Sequence, residues 1–101
     1  MLNPEVRTAT GGRLTSPDLW FDDVALAVMV HSKEHHLIGD DWERTITSDA
    51  DLSIAGAAVI GIAPTTISRD PASALRRVEQ AYAAARSRPR TTNIVVTPRR
   101  F

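Results

Sequence analysis

An α/β fold, at the border of α+β, with a mixed sheet flanked by helices, is what this sequence predicts. Three observations lead there. Residues 24–30 and 57–62 are continuous aliphatic runs of strand length, as expected of strands covered on both faces. Asp70-Pro71 opens a segment in which Leu75, Val78, Tyr82 and Ala85 fall on one helical stripe. A second helical segment separates the two aliphatic runs, so the later strand follows a crossover and should join in parallel.

Taken in order, residues 5–9 read as a short strand and Gly11-Gly12 as a turn that needs unusual backbone angles. Residues 14–21 read as a second strand. Pro17 within it is restricted to a strand start or an edge, because it has no N–H for a ladder. Asp22-Asp23 supplies the next turn and residues 24–30 the third strand, so that the three suit an antiparallel meander. Residues 31–39 form a polar loop, after which Asp40 is placed to accept from free amides as a helix cap. Trp42, Ile46, Asp49 or Ala50, and Ser53 share a helical stripe, with Leu52 and Ile54 beside it. Gly56 falls where a helix stops in a left-handed residue. Residues 57–62 make the fourth strand, ended by Pro64. The last helix stops near 86–89, and Ile94-Val95-Val96 is either a short terminal strand or part of a disordered tail.

With 101 residues the chain makes one domain, burying roughly 60–65% of the surface its unfolded form exposes. A composition of 43% hydrophobic and 24% charged residues excludes wholesale disorder. The absence of cysteine excludes disulfides, thiolate chemistry and zinc–cysteine sites. No basic and apolar leader is visible, and both apolar runs fall short of the ~20 residues a membrane helix needs. A cytoplasmic protein with no membrane partner is expected. The net charge of zero is unevenly laid out: Arg86, Arg88, Arg90, Arg99 and Arg100 lie in 86–101 with no acid among them. Residues 1–86 are therefore expected to form the domain and 87–101 a basic, flexible tail. Such a tail suits either a phosphate-binding arm or a segment that folds back on an acidic body.

The element order, with Ser16-Pro17-Asp18-Leu19-Trp20-Phe21 and Leu26-Ala27-Val28-Met29-Val30-His31-Ser32-Lys33-Glu34-His35-His36, resembles a known group. It is similar to the PD-(D/E)XK restriction-endonuclease-like fold. The branch it resembles holds the domain-of-unknown-function 559 proteins and the very-short-patch repair endonucleases. The resemblance spans about residues 5–85 and includes the helix end Leu52-Ser53-Ile54-Ala55-Gly56. In the common pattern an aspartate on the second strand and an acid on the third hold a divalent metal, Mg2+, which neutralises charge on a scissile phosphate. Asp18 matches the aspartate, while the third-strand acid falls at Met29, with His31 the next position on the same face. The resemblance thus implies a catalytically degenerate nuclease-fold domain, with a nucleic-acid-recognition or assembly role and no bound metal. In the repair-endonuclease pattern the metal takes Asp18 and the Val30 carbonyl, and His31 and His36 move protons. That alternative is an active metal-dependent DNA endonuclease. Its helix acid matches Thr45, with Glu43 and Asp49 nearby, and the group's first helix has no counterpart. A missing helix would leave the sheet open to a partner chain or a homodimer.

The residues alone also allow plainer roles. Asp18 suits a turn or strand-edge carboxylate, and His31, His35 and His36 suit loop residues bonded to the backbone. Trp20, Phe21 and Trp42 suit the core or its rim better than base stacking, and Asp40-Asp41 suits a helix start better than a metal site. A non-enzymatic protein-interaction module is the remaining reading. No phosphate-cradling glycine loop, serine nucleophile motif or helical His-Glu-x-x-His is present.

Overall fold

The computed structural model describes residues 1–31 and 39–99, with side chains of the first helix described at Arg44 and from Ile46 onward. Among these residues the order is β1 (Glu5–Thr8), β2 (Arg13–Leu14), β3 (Leu19–Phe21), β4 (Leu26–Val30), α1 (Gly39–Ile54), β5 (Ala58–Ile62), α2 (Pro64–Arg69), α3 (Pro71–Arg86) and β6 (Ile94–Thr97). The α/β class holds. The strands lie in two sheets, β2-β1-β6 and β3-β4-β5. β3 pairs with β4 antiparallel, and β5 joins β4 in parallel after the α1 crossover.

The expected meander is cut between β2 and β3, and the physical cause is proline. Residues 14–21 do not run as one strand, because Pro17 has no N–H and interrupts the ladder. Pro17 and Pro4 are both fully buried where the chain passes from one sheet to the other. The Ser16 hydroxyl donates to the Pro4 carbonyl at 2.6 Å and ties the two corners together. Before its corner the N-terminus continues along β3: Trp20 N–H donates to the Met1 carbonyl at 2.8 Å, and Asn3 N–H to the Asp18 carbonyl at 3.2 Å.

β4 is central and covered on both faces, as its aliphatic run predicts. Ala27 and Met29 pack with Trp20, Leu52 of α1, and Val6 and Ile94 of the second sheet. Leu26 and Val28 face the other way, with Ile62 and Ala74 under α3. The strand starts at Leu26 rather than Val24, because Ala25 turns the chain with a φ of 52°, outside strand geometry. The sheet face expected to lie open to a partner is occupied within the chain, by β1, β6 and α1. An uncovered sheet therefore gives no ground for a homodimer.

Two helical stripes differ from expectation. Among the described side chains of α1 the buried one is Leu52, with Ala55 packed beside it, while Ile46 is exposed and Ile54 is 83% exposed. In α3 the buried face runs through Ala74, Val78, Ala81, Tyr82 and Ala85, and Leu75 points to solvent. Alanine allows the closest approach of helix to sheet, so the line of contact follows the small residues and not the largest apolar one. The expected cap is present: Asp70 accepts from Ser73 N–H at 3.1 Å, with Pro71 at the first helical position. The sequence carries no signal for α2. This helix buries no residue, so it carries no apolar period, and Pro64 begins it as well as ending β5.

Residues 87–99 do not behave as a tail. β6 pairs with β1 over four positions, Glu5↔Thr97 to Thr8↔Ile94, and Ile94 is buried. Gly56 ends α1 with a φ of 107°, as its position predicts, and a Cβ there would stand 2.7 Å from Thr91 Oγ1. Gly56→Ala should therefore cost on the order of 2–3 kcal/mol, from backbone strain and collision together. Urea titration measures it, and a loss below about 0.5 kcal/mol would show that the turn relaxes freely.

Candidate functional site

The candidate site forms where β4 ends. The Asp18 carboxylate, exposed just after buried Pro17, accepts from Val30 N–H through Oδ2 at 2.7 Å. Leu19 opposes Val28, so continuing the register sets Asp18 opposite Met29 and Pro17 opposite Val30. Opposed residues of this kind normally exchange two N–H···O bonds. Proline offers no N–H to the Val30 carbonyl, and the aspartate side chain takes the Val30 N–H instead. Asp18 and the Val30 N–H are thus brought together.

Met29 is buried in the core on the side of β4 that faces α1, and His31 extends from the same side. The shared face expected from strand period is present. His31 N–H donates to the Ile62 carbonyl at 3.0 Å and continues the ladder to β5. Its Nε2 lies 2.9 Å from Asp49 Oδ2 on α1, with side chains 25% and 28% exposed. When Nε2 carries the proton given to Asp49, the neutral ring has its basic lone pair on Nδ1. Asp49 Oδ1 is buried with no hydrogen-bond partner among the described residues. Gly61 makes room for the ring: a Cβ at 61 would stand 3.0 Å from His31 Cδ2.

A cavity of 220 Å3 opens over this pair, lined by Thr15, Met29, Val30, His31, Arg44, Ser48 and Asp49. Asp49 stands one turn beyond Thr45 on α1 and reaches His31 from that helix. Thr15, Arg44, Ser48 and Gly61 had no sequence signal, since only the packing of α1 against β5 and β2 brings them here. His36 lies outside the described residues, as does Arg100. The remaining arginines meet different neighbours. Arg86 lies over the Tyr82 ring at 5.9 Å, Arg90 pairs with Asp22 at 2.7 Å, and Arg99 donates to the Asn3 carbonyl at 2.8 Å. Arg88 is exposed beyond the end of α3. Among the described residues no three His, Asp or Glu side chains converge on a point where a metal ion could sit. No described helix is long and apolar enough to cross a membrane.

Fold and site together define a small α/β domain with a histidine–carboxylate pair at the end of its central strand. No family model, curated protein or solved structure matches the chain.

Proposed function

We propose that this chain is a catalytically degenerate nuclease-fold domain of the cytoplasm that recognises nucleic acid. The observation that carries this reading is the pairing of Asp18 with the Val30 N–H opposite a buried Met29. The position that should supply a second hard oxygen holds a thioether instead. One carboxylate, already accepting a backbone hydrogen bond, offers too little charge to strip water from Mg2+.

One observation favours a second reading, an active endonuclease of the very-short-patch repair type. His31 is oriented by Asp49, and Pro17 gives no donor to the carbonyl of Val30. Asp18 and that carbonyl would hold Mg2+, with His31 and His36 as proton carriers.

Incubation of pure protein with duplex and single-stranded DNA, in Mg2+ or Mn2+, separates the two. Under the degenerate reading DNA is bound and stays intact. Metal-dependent cleavage that disappears in both Asp18→Ala and His31→Ala would establish the second reading and overturn the first.

A further inference from the structure

A second cavity, of 540 Å3, opens where β2 runs into Thr15-Ser16 and β6 runs out into Pro98-Arg99. It adjoins the histidine site, and Thr15 lines both. Glu5, Arg13 and Arg99 are its charged groups. The Glu5 carboxylate accepts from Arg7 at 2.7 Å, whereas Arg13 stands 3.7 Å away with its side chain 74% exposed. Arg99 is anchored at its root by the bond from Nε to the Asn3 carbonyl, 2.8 Å long, which leaves its Nη fork for a ligand.

All three guanidinium groups act on this one place. Arg7 chiefly, and then Arg13 and Arg99, hold the Glu5 carboxyl below the usual carboxylate range. Three cations around one anion leave a local excess of two positive charges, in a chain whose formal net charge is zero. That excess belongs to the β2-β1-β6 sheet. Residues 7 and 13 face each other across the β1–β2 hairpin, and the distant residue 99 joins them because β6 is paired with β1.

We infer that this cavity binds a phosphate group, clamped by Arg13 and Arg99. Two excess charges match a phosphomonoester dianion or two successive phosphodiesters. The planar guanidinium fork suits phosphate oxygens better than a point charge would. Glu5 repels any anion that the arginines attract, while Leu14 and Pro98 offer apolar wall for the rest of the ligand. The phosphate source is either a nucleic-acid strand or a free nucleotide. The strand rests on the recognition reading above, and through Thr15 it would lead directly to the His31 site.

The test measures binding of a short labelled single-stranded oligonucleotide and, separately, of AMP at low salt. Wild type is compared with Arg13→Gln/Arg99→Gln, Glu5→Gln and, as a control, Arg76→Gln on the exposed face of α3. Circular dichroism verifies folding. The double variant should weaken oligonucleotide binding roughly tenfold and flatten its log–log salt slope by about 1.4, two contacts at about 0.7 each. Glu5→Gln should tighten binding several-fold, which no misfolded variant can do, and Arg76→Gln should match wild type. AMP binding that needs Arg13 and Arg99, with no oligonucleotide binding, supports the cavity and overturns nucleic-acid recognition. Oligonucleotide binding unchanged in the double variant overturns the cavity and leaves recognition standing. Binding of neither ligand overturns both.

Discussion

A chain ending at Arg86 should fail to fold cooperatively. The segment beyond it supplies β6, and without β6 the second sheet is only the β1–β2 hairpin, with two residue pairs. Two-stranded hairpins are marginal in water. Removing Ile94 strips about 1.5–3 kcal/mol of apolar burial from the core shared by the two sheets. The same segment ends α1, where the Thr91 hydroxyl donates to the Ala55 carbonyl at 3.2 Å. It also holds the turn before β4, where Arg90 Nη2 lies 2.7 Å from Asp22 Oδ1. Ala9 N–H donates to the Asn93 carbonyl at 2.7 Å, so the β1–β2 turn loses a partner too. These losses together rival the ~5–15 kcal/mol that stabilises a typical domain. Urea titration by circular dichroism should give no sigmoidal transition for residues 1–86. A cooperative transition for 1–86 at the wild-type midpoint would restore the view that a domain ends there.

How much of this could be seen beforehand depended on whether the signal was local. β4 is legible because a strand buried on both faces needs an unbroken aliphatic run, and β5 carries a similar run although it is a half-buried edge strand. Asp70-Pro71 and Gly56 were visible because helix ends have their own chemistry, which acts over three or four residues. The split into two sheets was not. Proline chemistry restricts Pro17 to a strand start or an edge, but only its burial with Pro4 reveals a corner at which the chain leaves one sheet for another. Helical period puts Leu75 on the apolar stripe, whereas the close helix–sheet contact takes its neighbour Ala74, the smaller side chain. At the candidate site, strand period placed Met29 and His31 on one face, while the bond from Asp49 needed the packing of α1. The arginine-lined cavity had no signature, since Glu5, Arg13 and Arg99 meet through strand register alone.

Trp20→Ala should cost about 3–5 kcal/mol and leave the domain near or past unfolding, because Trp20 is buried to 1% among Val6, Ala27, Leu52 and Ile94. Trp20→Phe separates packing from its polar role. Indole Nε1–H donates to Asp22 Oδ1 at 3.0 Å, and Arg90 reaches the same oxygen, so one carboxylate joins the core to the approach to β6. Phenylalanine fills most of the site and removes that donor, which should cost about 1 kcal/mol at neutral pH. The cost should also depend on pH. The hydrogen bond from Trp20 is the largest cause holding the Asp22 carboxyl below its ordinary value, with Arg90 adding to it. A depressed carboxylate contributes stability that is present above its unfolded pKa and is lost as pH falls through its folded value. Wild type should therefore lose stability on acidification from the ordinary carboxylate range downward. Trp20→Phe should lose less over the same range, and the gap between the two proteins should narrow as pH falls. Urea midpoints measured from neutral pH down through that range test this. A gap that stays constant with pH would mean that Trp20 acts by packing alone and that its bond to Asp22 contributes nothing to the fold.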